Sequence, residues 1–171
     1  MIQSTTGLIH AIAATVALIS GLVVFARPKS TPFHRGMAYL YGGAMAVVIV
    51  TAFSIYHLTK SFNFLHVATI VSCFPLIIGI SAALTRRPKD RWLRIYYYWM
   101  GWSYVLLCAA FFAEIATRIM MPFLSSHFGV HSPLVYTAIV GFTSLFVVVL
   151  GWHLVERNRR IVATFQSRER T

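Results

Sequence analysis

Residues 7–26 read GLIHAIAATVALISGLVVFA, and this run decides the class of the protein. It contains no Asp, Glu, Lys or Arg. As an α-helix rising about 1.5 Å per residue, it can cross the roughly 30 Å hydrocarbon core of a bilayer. No basic residue precedes the run, so we expect a membrane span rather than a cleaved signal peptide. Similar stretches follow, and the predicted spans are residues 7–26, 36–58, 64–84, 93–121 and 134–154.

The composition of the whole chain agrees with this pattern. Of 171 residues, 58% are hydrophobic and 11% are charged, whereas soluble domains carry about 25% charged residues. A net charge of +11 would suit a nucleic-acid binder, but so apolar a chain would not stay soluble, and nucleic acid is excluded as a partner. We predict an all-α, polytopic membrane bundle of about five helices in a lipid bilayer. It forms one domain over residues 1–171, with a basic tail at 155–171.

The basic residues predict the orientation. Thirteen of the 15 Lys and Arg residues fall in the segments 27–35, 86–94 and 157–170, and only Lys60 and Arg118 lie towards the other side. By the positive-inside rule, those three segments are cytoplasmic. The N-terminus is then outside and the C-terminus inside, in a multi-pass protein of the bacterial inner membrane. The aromatic residues between Trp92 and Trp102 fit an interfacial belt, with a quinone or ring-stacking site as the alternative.

Ionisable residues inside predicted spans gather towards the outer side. His10 lies about one turn inside the first span, His57 in the last turn of the second, and His66 in the first turn of the third. Glu114 and Arg118 lie near the outer end of the fourth span. Because ionisable groups are costly in hydrocarbon, such residues are candidates for function.

The remaining histidines lie in predicted connections. His127 and His131 are placed in an outer loop, before a Ser132–Pro133 pair that is typical of a helix start. His34 belongs to a predicted cytoplasmic connection, and contact with an anionic lipid headgroup accounts for a histidine at this position. These three are weaker ligand candidates than the residues within spans.

The predicted site suits a metal centre. Imidazole and carboxylate ligands bind zinc, copper or iron, and two histidines on different helices can also hold a b-type haem. The candidate ligands are His10, His66, His57 and Glu114, with Arg118 orienting the carboxylate. Alternatively, Glu114 and Arg118 form an internal salt bridge, since they are four residues apart on one helical face.

Three functions remain open at this point. The first is redox chemistry or metal handling, with a quinone or a periplasmic redox protein as partner. The second is a proton-coupled carrier that uses His10, Glu114 and Arg118. The third is a non-catalytic accessory subunit that packs on a larger membrane complex through faces of small residues. A homo- or hetero-oligomer is a further expectation for the partners of the chain. The sequence shows no nucleophile elbow, phosphate loop or HExxH motif, and whether the protein is an enzyme stays open.

Several short motifs resemble an uncharacterised family of bacterial predicted membrane proteins, a domain of unknown function. They are LIHAIAATVALISG with His10, FHRGMAYLY with His34, FLHVATIVS with His66, RWLRIYYYW, and Arg118. The resemblance covers about residues 7–120 and implies no established activity. Family members often have His-Arg-Trp-Met before the fourth span, where this chain has Asp90-Arg91-Trp92-Leu93, and His57 lies outside the shared pattern.

Overall fold

The fold is built from five α-helices. The computed structural model describes residues 5–26, 31–59, 64–129 and 132–168, with side chains except at 26, 55–59, 64–66, 68 and 158–168. The helices are α1 (Thr5–Ala26), α2 (Pro32–Thr59), α3 (Phe64–Thr85), α4 (Trp92–Phe128) and α5 (Pro133–Arg168). Within these described ranges there is no β-strand.

The helices have the length and hydropathy of membrane spans. Segments of α1, α2, α4 and α5 qualify by length and composition: Thr5–Phe25, Pro32–Ser54, Trp92–Phe128 and Pro133–Arg157. The described apolar part of α3, Thr69–Thr85, is shorter. The predicted all-helical membrane fold is confirmed, and its orientation remains a prediction.

Hydroxyl caps set the starts of two helices. The hydroxyl of Ser132 accepts a hydrogen bond at 3.2 Å from the backbone N–H two residues later, and Pro133 opens α5, which confirms the predicted helix start. At α2, the hydroxyl of Thr31 likewise accepts the backbone N–H of His34 at 3.1 Å. Because Pro32 supplies a suitable φ at the first helical position, α2 begins four residues before the predicted span.

Two helices run further than predicted. The placement of His127 in a loop is wrong, since α4 continues to Phe128 and ends at Gly129, whose φ of +62° suits a glycine helix terminator. α5 likewise extends beyond the predicted fifth span, into the predicted basic tail. No Gly or Pro follows Gly151, so α5 continues to Arg168.

The chain divides into two compact units, Met1–Met100 and Gly101–Thr171. In the first unit, α1 packs antiparallel to α2. Ala17 is completely buried, and Tyr41 and Met45 of α2 are 1% exposed. Gly79 of α3 lies against Met100, since an added Cβ would stand 3.2 Å from the backbone nitrogen of Met100. Small residues therefore allow close helix contacts here, as expected for membrane helices.

Aromatic side chains at the start of α4 pack inside the first unit. Tyr96 is 8% exposed, and the ring of Trp99 meets Phe74 of α3 edge-on, with centroids 5.5 Å apart. The guanidinium of Arg86 lies 5.9 Å from the centre of the Trp92 ring. These aromatics therefore contribute to packing in addition to any interfacial role.

The second unit depends on a close contact between α4 and α5. An added Cβ at Gly151 would overlap both γ-carbons of Val105, whereas one at Gly141 would meet nothing within 4 Å. Val105 is 8% exposed and β-branched, so it has little freedom to move aside.

We expect Gly151→Ala to lower the free energy of unfolding by about 1–3 kcal/mol, because it overpacks this contact. Gly141→Ala is the matched control on the same helix and should be neutral or stabilising by up to about 1 kcal/mol. Tryptophan fluorescence during thermal unfolding in detergent measures both variants. Equal unfolding midpoints for the two variants would contradict the close contact between Gly151 and Val105.

Candidate functional site

His10 forms a hydrogen bond between helices. It lies in the second turn of α1, and its Nδ1 is 2.8 Å from the hydroxyl oxygen of Thr51 on α2. Thr51 is 8% exposed, while the imidazole is partly buried. The antiparallel packing of α1 and α2 brings together these two residues, which are 41 positions apart in the chain.

The surroundings of Thr51 determine which atom donates. Its hydroxyl lies 2.7 Å from the carbonyl oxygen of Val47 and 3.0 Å from that of Val48. Two oxygens at 2.7 Å require a proton between them, so the single hydroxyl proton points to the backbone of α2. Thr51 must then accept from His10, which places an imidazole proton on Nδ1; in the neutral ring the lone pair is then on Nε2.

This arrangement suits metal ligation. Histidines that bind metals commonly donate their second ring N–H to a neighbouring acceptor, which fixes the tautomer and the ring orientation. The Thr51 hydroxyl is such an acceptor for His10. The donor chemistry of His10 therefore fits a transition-metal ion or a haem iron bound at Nε2.

The other two span histidines lie at the same end of the first unit. His57 is the third residue from the end of α2, about 9 Å along the helix axis from Thr51. His66 is the third residue of α3, directly after the short connection from α2. The backbone therefore brings both histidines to the end of the unit where His10 lies. Their side chains lie outside the described residues, and their part in a site stays a prediction.

No group of three His, Cys, Asp or Glu side chains that could hold a metal ion is found where side chains are described. This search does not include His57 or His66. Of the three span histidines, His10 is thus the one whose ring and hydrogen-bond partner are both described.

Glu114 and Arg118 form the predicted salt bridge on α4. Both Nε and Nη2 of Arg118 donate to Oε1 of Glu114, with the Nε bond at 3.0 Å. The side chains are 56% exposed for Glu114 and 64% exposed for Arg118. The pair belongs to the second unit, whereas His10 belongs to the first.

The remaining candidate histidines occupy different environments. The ring of His127 stacks on Phe123 at 4.4 Å, and its Nδ1 lies 3.0 Å from the Phe123 carbonyl oxygen. His34 is 6% exposed in the first turn of α2, at the end of the first unit opposite His10. His131 lies outside the described residues. His34 is therefore a buried residue rather than a surface contact for headgroups.

Thr51 is the site residue that the sequence analysis did not identify. A threonine in a span usually bonds to a carbonyl of its own helix, as Thr117 does on α4, and this makes it unremarkable in sequence. Only the packing of α1 on α2 shows that Thr51 also accepts a hydrogen bond from His10.

Comparison with known proteins supports the membrane assignment. A family model described as "Predicted membrane protein (DUF2306)" matches residues 7–155, and the resemblance found in the sequence is confirmed. No curated protein and no solved structure matches the chain.

The Thr51 hydrogen bond predicts a tautomer that can be measured. In protein labelled with ¹⁵N-histidine, His10 should give the signal of a ring that carries a proton on Nδ1. Thr51→Val keeps the shape of the side chain but removes the acceptor, so this preference should be lost. Thr15→Val is the control, because Thr15 donates to the carbonyl of Ala11 on α1. An unchanged His10 spectrum in Thr51→Val would contradict the assignment.

Proposed function

This chain belongs to the DUF2306 family of predicted membrane proteins, and we propose that it holds a metal centre with His10 as a ligand through Nε2. The centre is a b-type haem or a single zinc, copper or iron ion. Its role is electron transfer or metal handling in the membrane. The observation that carries this proposal is the hydrogen bond from His10 Nδ1 to Thr51.

The hydrogen bond supports this function because it holds a polar ring in one useful orientation. An imidazole in hydrocarbon is costly unless its polar atoms are satisfied. Thr51 satisfies Nδ1 and thereby directs the remaining lone pair of His10 to Nε2. A metal bound there would satisfy the second ring nitrogen, and the Thr51 acceptor would raise the basicity of the ligand.

His66 and His57 are the proposed further ligands. The connection between α2 and α3 brings both residues to the end of the unit that contains His10. The resemblance to the family includes positions 10 and 66, and we therefore propose His66 before His57 as the second ligand. When bound, a haem or a redox-active ion supplies one-electron chemistry. The helices then position the centre and exclude water, with a quinone or a periplasmic redox protein as the electron partner.

Glu114 has a more limited place in this proposal. Its Oε1 already accepts two hydrogen bonds from Arg118. Glu114 also belongs to the second unit, and its part as a ligand stays a prediction. For this reason we rank Glu114 below the three histidines as a candidate metal ligand.

An absorption spectrum and a metal analysis of protein purified from membranes test the proposal. A haem gives a Soret band, whereas a bare ion gives stoichiometric metal without one. His10→Ala should abolish either signal, and Thr51→Val should weaken affinity by about 10- to 100-fold through loss of the supporting hydrogen bond. His153→Ala changes an exposed histidine on α5 and should leave the signal intact.

These measurements distinguish a bound haem, a bound metal ion and a protein that holds neither. Neither a Soret band nor stoichiometric metal in the wild-type protein would overturn the proposal. A full signal in His10→Ala would remove His10 as a ligand. Loss of the signal in His153→Ala as well would show that the effect of His10→Ala is not specific.

We also propose the orientation that the basic residues predict, with the candidate site near the outer leaflet. A green fluorescent protein fused after Thr171 should fluoresce, because this tag folds in the cytoplasm and not after export through the general secretory pathway. An alkaline phosphatase fused at the same point should be inactive. The reverse pair of results would invert the orientation and place the His10 site near the cytoplasmic leaflet.

A further inference from the structure

The described charged residues of the first unit all lie at one end of that unit. This is the end where α2 begins and where α3 leads into α4, opposite the end that holds His10. The charged residues are Arg35, Arg86, Arg87, Lys89, Asp90, Arg91 and Arg94. We call residues 86–94 the basic segment. Its five basic residues and one acidic residue give it a net charge of +4.

The charges of the basic segment face outward. All six charged side chains are exposed. Nε of Arg91 donates to Oδ2 of Asp90 at 3.0 Å, and Asp90 is the one acidic residue of the segment. Four positive charges therefore remain in excess on an exposed surface, and the partner that fits this surface carries negative charge.

The basic segment lies at the boundary between apolar helix and water. It follows directly on the apolar stretch Thr69–Thr85 of α3, and 19 residues without a charge, 95–113, follow it on α4. As a helix, those residues extend about 28 Å, close to the roughly 30 Å thickness of a hydrocarbon core. In a bilayer, the basic side chains therefore lie at the level of the lipid headgroups.

Arg86 has an unusual backbone conformation at this boundary. Its φ of +50° lies in the left-handed region, which disfavours residues with a Cβ, and its N–H donates to the carbonyl of Ala82 at 3.0 Å where α3 ends. Glycine is the usual residue at such a helix end. The guanidinium of Arg86 lies 5.9 Å from the centre of the Trp92 ring, and tryptophan favours the headgroup region. Strained residues often mark functional sites, and here the strained residue is an arginine placed beside an interfacial ring.

We propose that the basic segment binds the phosphate group of an anionic phospholipid. A guanidinium stacked on an aromatic ring keeps N–H donors in its plane, and these match the oxygens of a phosphate. Clusters of about four to eight Lys and Arg residues directly beside a membrane helix are typical of sites for anionic headgroups.

The position of the segment favours a lipid over a soluble acidic protein. The basic side chains lie at the bilayer surface, where anionic headgroups are already concentrated. A zwitterionic headgroup fits less well, because it brings a positive charge of its own close to the arginines. The proposal does not depend on which side of the membrane the segment faces, nor on the proposed metal centre.

Native mass spectrometry of the full chain in detergent tests the proposal, with phosphatidylglycerol, phosphatidylcholine or inorganic phosphate added. The first phosphatidylglycerol should bind about tenfold or more tightly than the first phosphatidylcholine, since each basic residue contributes about a fivefold gain in affinity for negative charge. Arg86→Gln/Arg87→Gln/Lys89→Gln should lose this preference. Asp90→Asn removes the negative charge of the segment and should strengthen binding of phosphatidylglycerol by up to about fivefold.

The matched control removes the same charge from the second unit. Arg157→Gln/Arg159→Gln/Arg160→Gln on α5 should keep the preference for phosphatidylglycerol, because it leaves the basic segment intact. Equal affinities of the wild type for the two lipids would overturn the proposal, as would an equal loss of preference in the control. Inorganic phosphate that binds as tightly as phosphatidylglycerol would overturn the assignment to a lipid.

Discussion

The hydrocarbon interior of a membrane offers no hydrogen-bond partner, and every polar group within the spans of this protein must find one within the chain or in a bound partner. The backbone meets this constraint by forming helices. Hydroxyl side chains meet it locally: Ser20 donates to the carbonyl of Val16 at 2.6 Å, and Thr117 donates to that of Ala113 at 3.0 Å. Such bonds need no neighbouring helix, and these residues can therefore lie wherever packing allows.

Histidine and the charged residues cannot be satisfied so simply. An imidazole has two ring nitrogens, and His10 uses one of them on Thr51 of the neighbouring helix. Its second nitrogen has the chemistry to bind a metal. Glu114 and Arg118 satisfy each other along one helix. The same constraint thus underlies the proposed metal at His10.

The sequence predicts the positions of the helices better than their ends. Apolar length predicted all five helices, because crossing hydrocarbon requires long uncharged runs. The ends depend on capping, which the hydropathy pattern does not record. The Ser132–Pro133 pair marks the start of α5 and the same signal at Thr31–Pro32 marks that of α2, whereas Pro122 lies inside α4, which ends only at Gly129.

Four features follow from the sequence alone: the membrane class, the five apolar helices, the excess of basic residues in three segments, and the salt bridge between Glu114 and Arg118. Each of these depends on local composition or on spacing along one helix. The contact of His10 with Thr51, the burial of His34 and the contact of Gly151 with Val105 depend on how the helices pack. These contacts depend on which face of one helix meets another, and in a uniformly apolar helix the sequence pattern does not distinguish one face from the next.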